Sequence, residues 1–282
     1  MSGQSILEQI HSAYYQLTAA ERKVADYVLV QYAEVEYMSI TQLAEECGVA
    51  EATISRFCRS MNLKGFNAFK MELARQNSPA GGAAPKAQAD AGSFSGRCHQ
   101  VGLLATEAVN QTLSLIREEA VSEAVEHLEQ ANHVLCLGNG GSLITAQECA
   151  HHFSTISNKF YSLPDSHLQL AAIATMDEND AVILFSYSGA TVNSLEVLEL
   201  ARARGVRTIL VTRFLKSPAA KLSDVVLHCG SNESPFQPGS TPARIAQLVV
   251  MDVLYQEFYH RHSAECDRNI ENIAAALACK HV

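Results

Sequence analysis

Two hydrophobic periodicities divide the chain. Over residues 1–77 apolar positions recur at helical spacing: Val24, Val28 and Leu29, then Leu43, Ala44 and Cys47, then Ile54 and Phe57. That is the mark of helices with one buried face. From Val134 onward short, continuous apolar runs take over, near Val134–Leu137, Phe160–Leu163, Ala181–Phe185, Thr208–Thr212 and Val225–His228. Such runs, rich in β-branched residues and without polar alternation, read as strands buried on both faces of a parallel sheet. Helical stretches lie between them near Ser142–Ile156, His167–Thr175, Val192–Arg204 and Ser217–Leu222, and another runs from Ile245 to about His260. The alternation predicts a doubly wound α/β domain with a five-stranded parallel sheet and right-handed crossovers. It follows an all-α segment, and a helical pattern from Val101 to Ile116 and from Val121 to Leu128 leads into the first strand.

Residues Asn77 to Gly96, NSPAGGAAPKAQADAGSFSG, are poor in large apolar side chains and rich in Ala, Gly, Ser and Pro. They predict a flexible linker. The expected organisation is a helical domain over 1–77, a linker over 78–97 and an α/β domain over 98–282.

Inside the helical domain, Thr18 with Glu21 and Ser39 with Gln42 form two capping boxes, in which side chains satisfy the orphan N–H groups of a helix start. Ile40 to Arg59 aligns as a helix-turn-helix: Ala44 permits close helix approach, Gly48 supplies the positive φ of the turn, and Ile54 packs back. With Ile54 and Phe57 inward, Thr53, Ser55, Arg56 and Arg59 are expected on accessible faces of the second helix. Arg reads guanine bidentately and hydroxyls read several base edges in the major groove. Lys64 and Lys70, past that helix, suit phosphate contacts, which add affinity without sequence information. Ala50 lacks the capping oxygen that a Ser would supply.

The α/β domain carries two turns of one design. After Ala181–Phe185 come Ser186, Tyr187, Ser188, Gly189, Ala190 and Thr191, opening onto a helix with Asn193, Ser194 and Glu196 in its first turns. After Val134–Leu137 come Gly138, Asn139, Gly140, Gly141 and Ser142. A hydroxyl-rich, glycine-containing turn at a strand's carboxyl end offers N–H groups, hydroxyls and a helix dipole to one anion. Gly140, Ser142, Ser186, Ser188, Gly189 and Thr191 are therefore candidates for a phosphate cradle, both turns facing one crevice. Helix capping alone is the competing role for Ser188 and Thr191. The glycines match a dinucleotide fingerprint only in part, and no acidic residue ends the second strand, so nucleotide binding is disfavoured.

Net charge is −9, which as a single figure argues against nucleic acid. Locally the picture changes. Ala52 to Gln76 holds Arg56, Arg59, Lys64, Lys70 and Arg75 against Glu72, whereas from Val101 onward 12 Lys and Arg face 20 Asp and Glu. A basic reader is tethered to an acidic domain. The 8 cysteines form no CxxC pair and read as reduced, mostly buried thiols rather than disulfides or zinc ligands. No metal or cofactor is expected. No apolar run approaches the roughly 20 residues of a membrane span, and the opening MSGQSILEQIHSAYYQ lacks a basic-then-apolar signal segment, so a cytoplasmic protein is expected.

These halves together resemble the RpiR family of bacterial transcription regulators, in which a helix-turn-helix precedes a sugar isomerase (SIS) domain that senses a sugar phosphate. The resemblance covers roughly Leu17 to Arg261. It rests on LTAAERKVADYVL and SITQLAEECGVAEATISRFCRSMNLKGFNAFK, then FSYSGATVNSLE, GVRTILVT, SPAAKLSDVVL and ARIAQLVVMDVLY. It implies that Ser142, Ser186, Ser188 and Thr191 hold the phosphate and that Ser240 and Arg244 lie near the sugar. GNGGS and Pro235-Phe-Gln-Pro238 depart from the family's commoner wording, which bears on the sugar-selecting contacts.

The expected function is a DNA-binding regulator without turnover, a homodimer or homotetramer through the SIS domain, reading a two-fold operator and responding to a sugar phosphate. The alternative is an aldose–ketose isomerase using the same crevice. That chemistry needs a general base, for which Glu148, His151, His152 and Glu233 are candidates.

Overall fold

The computed structural model describes residues 5–77, 93–231 and 240–278. It divides into two compact units, one of the residues up to Gly102 together with the segment ending at Ser240, the other built from Leu103–Ser231 and the residues from Thr241 onward.

The first unit contains α1 (Ile6–Ala13), α2 (Ala19–Val35), α3 (Ile40–Glu46), α4 (Glu51–Ser60) and α5 (Phe66–Asn77). Its core joins Val24, Val28, Leu43, Ile54, Phe57, Phe69 and Leu73. Phe57 and Phe69 meet edge to face at 5.5 Å, a pairing worth about 0.5–1.5 kcal/mol beyond area burial. Both capping boxes form: Thr18 with Glu21 starts α2 and Ser39 with Gln42 starts α3. The ends of α3 and α4 are built alike. Val49 N–H donates to the Ala44 carbonyl and Gly48 N–H to Glu45 at the first; Leu63 N–H donates to Cys58 and Asn62 N–H to Arg59 at the second. Each is the paired closure that needs one residue of positive φ past the helix end. Gly48 (φ +61°) and Asn62 (φ +58°) supply it.

The second unit is a five-stranded parallel sheet of β1 (Val134–Gly138), β2 (Phe160–Ser162), β3 (Ala181–Phe185), β4 (Arg207–Thr212) and β5 (Val225–His228), in the order β2-β1-β3-β4-β5. The strands alternate their side chains between two cores, as the two-residue pleat requires. On one face Val134, Cys136, Ile183, Phe185 and Val211 pack with α7 (Glu118–Gln130), α8 (Gly141–Ser154) and α11 (Thr241–Arg261). On the other, Leu135, Leu137, Val182, Leu184 and Leu210 pack with α9 (Ser166–Ile173) and α10 (Val192–Arg204). Coverage of both faces is why these strands read as unbroken apolar runs. Six of the described cysteines are buried and Cys98 is exposed.

Two expectations need correction, and one helix was not foreseen. The stretch Ser217–Leu222 is a succession of turns, not a helix: Leu222 N–H bonds Ala219, and Ala219 N–H is drawn to the carbonyl of Gly189 instead of a helical partner. Of the linker expected over 78–97, residues 78–92 lie outside the described residues, and its last part is taken by the start of α6 (Phe94–Leu115), with Ser93 Oγ accepting from Gly96 N–H at 2.9 Å. A further helix, α12 (Ser263–Leu277), follows α11. It anchors through buried Cys266 and an Asn269 bond to the Ile156 carbonyl at 2.7 Å.

Candidate functional site

The helix-turn-helix sets its second helix, α4, on an apolar seam of Ile54, Phe57 and Cys58, all without exposure. Arg56 and Arg59 are exposed and Ser55 half-buried on the opposite side, with Lys64 exposed beyond the helix. Lys70 is half-buried, its ammonium 5.6 Å from the Phe66 ring centre. Thr53 departs from expectation. It is 4% exposed and accepts from Arg56 Nη2 at 3.2 Å, so it aims the arginine rather than facing solvent. Ala50 gives α4 no capping side chain. The start is instead held by Glu51, a carboxylate in the first turn where the helix dipole favours it, and Thr41 Oγ1 donates to it at 2.7 Å. Glu21 braces the other end of α4 by accepting from Ser60 Oγ at 3.2 Å. The Thr18 hydroxyl, more than any other group, pulls its carboxyl below the usual range, against burial.

The crevice lies where the strand order reverses. Gly138 and Phe185 are register partners at the carboxyl ends of β1 and β3, so the two turns leave the sheet side by side, at the place where open α/β sheets bind ligands. A Cβ on Gly138 would come within 2.5 Å of the Ser142 carbonyl oxygen; only glycine lets α8 start this close to its strand. Gly140 (φ +57°) is exposed just before α8, and Ser142 is half-buried in its first turn.

The second turn is held from within. Thr191 Oγ1 lies 2.6 Å from Ser194 Oγ, which lies 3.1 Å from Ser186 Oγ. This row of hydroxyls presents Ser186, 4% exposed, at its end. Ser188 is half-buried and accepts from Ala190 N–H at 3.3 Å. Gly189 takes φ +59°, and a Cβ there would sit 2.1 Å from Ser217 Oγ, so the turn segment after β4 is packed against the glycine. Thr191 is exposed at the N-cap of α10 without a capping bond; the cap role alone does not account for it.

Two buried amides complete the crevice, and neither figures among the sequence-derived candidates. Gln247 of α11, 1% exposed, donates to Ser142 Oγ at 3.0 Å and accepts from Thr145 at 3.2 Å. Gln169 of α9, also 1% exposed, donates to the carbonyls of Leu163 at 2.8 Å and Gly138 at 3.3 Å. Their signal was a polar residue at an inward helical position. Arg244 precedes Gln247 by three residues and so neighbours it on the helix surface. Its Nη2 donates to Thr241 Oγ1 at 3.3 Å, while its Nε is shut from solvent with no partner among the described residues. A buried cationic donor left unsatisfied costs free energy, which makes Arg244 a donor open to an anionic ligand. Ser240 is half-buried just before α11.

The candidate isomerase bases that fall among the described residues, Glu148, His151 and His152, are not gathered here. Glu148 follows Ser142 by six residues, about 9 Å along the helix axis, and is exposed with His151. The His152 ring lies 3.9 Å from that of Tyr255, and Glu233 falls outside the described residues, as does Pro235-Phe-Gln-Pro238. Among the described residues no helix is long and apolar enough to cross a membrane.

Two known domain families match this chain. The helix-turn-helix domain of the rpiR family matches residues 4–80, and the SIS domain matches residues 127–256. An HTH-type transcriptional regulator of Caldanaerobacter subterraneus subsp. tengcongensis is 29% identical over 282 residues, 99% of this chain and 98% of its own. The HTH-type transcriptional regulator HexR of Escherichia coli is 29% identical, covering 97% of this chain and 94% of that protein. Among solved structures, the Vibrio vulnificus NanR protein complexed with ManNAc-6P superposes with a TM-score of 0.88 at 25% identity, covering 98% of this chain and 100% of that one.

Proposed function

This chain belongs to the RpiR family of transcriptional regulators, joining a helix-turn-helix to a SIS domain, and we propose that it senses a sugar phosphate in the crevice and thereby changes its affinity for an operator. Gly140, Ser142, Ser186, Ser188, Gly189 and Thr191 cradle the phosphate, with Ser240 and Arg244 beside the sugar. The observation that carries this reading is that two hydroxyl-bearing turns leave neighbouring strands side by side, the first bonded through Ser142 to Gln247 of α11, on which the Arg244 Nε is buried with no partner among the described residues. NanR is seen with a phosphorylated sugar, which supports the ligand class.

Residues 1–77 act as the DNA-binding domain, with Ser55, Arg56 and Arg59 reading bases, Thr53 aiming Arg56, and Lys64 and Lys70 gripping phosphates. One helix-turn-helix buries too little surface for specific binding, so the regulator works as a homodimer or homotetramer on half-sites about one helical turn, or a multiple, apart. It works in the cytoplasm, as DNA binding requires, and as a sensor rather than an isomerase, since Glu148, His151 and His152 lie along α8 away from its N-terminus. To change operator affinity tenfold, the ligand needs about 1.4 kcal/mol of differential affinity between two states of the protein.

Titration calorimetry of the full chain with inorganic phosphate and with glucose 6-phosphate tests the cradle. Both bind the wild type, and Ser188→Ala weakens both about tenfold, the scale of one charge-assisted hydrogen bond. Equal affinities for wild type and variant would remove the second turn from the site.

A further inference from the structure

The second turn is tied to a helix outside the crevice by a strap of three residues, Cys229 to Ser231. At one end stands Tyr187, between the cradle residues Ser186 and Ser188. Its carbonyl accepts from Arg213 N–H at 3.1 Å and from Thr212 Oγ1 at 3.0 Å, and its ring meets Phe214 edge to face at 5.9 Å. Its hydroxyl donates to the carbonyl of Ser231, which also accepts from Arg213 Nε at 3.1 Å. At the other end Gly230 N–H donates to Thr112 Oγ1 of α6 at 3.0 Å, and that hydroxyl donates within its own helix to the Ala108 carbonyl at 2.7 Å.

We infer that the strap passes occupancy of the second turn to α6, with Tyr187 and Thr112 as the positioning residues at its two ends. The inference rests on the sensing function proposed above and names the residues that couple its two sites.

Three observations carry it. The cradle and the strap share a residue, since the turn that holds Ser186 and Ser188 cannot shift without moving or breaking the bond from Tyr187 to Ser231. The far contact has no slack. A Cβ on Gly230 would lie 2.7 Å from the Gln111 carbonyl carbon and 2.8 Å from the Thr112 nitrogen, so strap and helix meet backbone to backbone, and close-packed groups transmit a displacement that a flexible side chain would absorb. Lastly, the division between the two units falls at Gly102, inside α6. The helix the strap grips is the one by which the chain passes from the helical unit into the second. Thr112 has no exposure, and a valine would fill its space; the hydroxyl is what Gly230 requires.

Fluorescence anisotropy of the full chain on an operator selected from random duplexes, without and with glucose 6-phosphate at a concentration that calorimetry shows to be saturating, gives the factor by which ligand changes operator affinity. The wild-type factor is expected to be about ten. Thr112→Val keeps the shape without the hydroxyl, and Tyr187→Phe keeps the ring. Each is expected to bind the operator normally without ligand and to cut that factor at least about threefold, while Thr112→Ser, which retains the hydroxyl, restores it. A merely structural role would lower the melting temperature, because Gly230 N–H is left buried and unpaired, and leave the factor alone. A smaller cut in either variant, or no rescue by Thr112→Ser, overturns the strap and spares the sensing function; should Thr112→Val not fold, Tyr187→Phe decides. A wild type that binds glucose 6-phosphate with no change in operator affinity overturns the sensing function, and this inference with it.

Discussion

The reading helix and the crevice handle their polar groups in opposite ways. On α4 the groups proposed to meet DNA stand outside the fold: Arg56 and Arg59 are exposed above a seam of Ile54, Phe57 and Cys58. In the crevice the corresponding groups are packed and bonded to one another, Thr191 to Ser194 to Ser186 and Gln247 to Ser142. The difference follows from the partners. DNA brings a large charged surface that needs only to be met, whereas a small anion has to be surrounded by donors already held in place. Substitutions on α4 should therefore act on binding and spare stability, and substitutions in the crevice should disturb both.

The largest effect expected is that of Gly189→Val. A β-carbon 2.1 Å from Ser217 Oγ at φ +59° combines overpacking with left-handed strain, about 3 kcal/mol together. Thermal unfolding of the second unit should fall by roughly 6–12 °C with phosphate binding lost, while the helical unit melts as before. Next is Arg56→Ala, which should remove about 1–3 kcal/mol of specific DNA affinity with no change in melting, read by fluorescence anisotropy on matched and scrambled duplexes. Equal loss on both would make Arg56 a backbone contact.

Glu21→Gln sharpens the comparison from within the helical unit, where one carboxylate serves fold and reader together. Gln can still close the capping box, as Gln42 does at α3, so the variant loses only the charge behind the Thr18 and Ser60 bonds, about 1 kcal/mol, the difference between charged and neutral hydrogen bonds. The sign with pH is fixed by the depressed pKa. Glu21 is held below its ordinary 4.5, so its stabilisation is present above that value and disappears as pH falls through the folded pKa. Wild type and variant should converge in acid, by circular dichroism melts at stepped pH. The smallest effect belongs to Lys64→Ala, which should lower affinity evenly across sequences and reduce the salt slope of binding by about one.

What could be read in the sequence was what local chemistry determines alone. The capping boxes, the positive φ at Gly48, and the unbroken runs of β1 and β3 each follow from a few adjacent residues. So does the pairing of the two turns, because like strands of a parallel sheet end on one edge. What escaped depends on packing between elements. Thr53 sits one position from Ile54, about 100° around the helix, and whether that is inside or out depends on α4 being packed by α2, α3 and α5 together. Ser217–Leu222 has helical composition, yet Ala219 N–H is claimed by Gly189. Gln169 and Gln247 look like ordinary helix residues until the strand ends they reach are in place.

The account turns on crevice occupancy being felt by the reading helix. The most direct test selects an operator from random duplexes with the full chain, then follows its anisotropy against glucose 6-phosphate for wild type and Ser188→Ala at fixed salt. The account predicts that ligand shifts wild-type operator affinity about tenfold or more, in either direction. It also predicts that Ser188→Ala binds the operator normally and responds only at much higher ligand concentration. An unchanged wild-type affinity at a ligand concentration that calorimetry shows to be saturating, or an identical response in the variant, would contradict it.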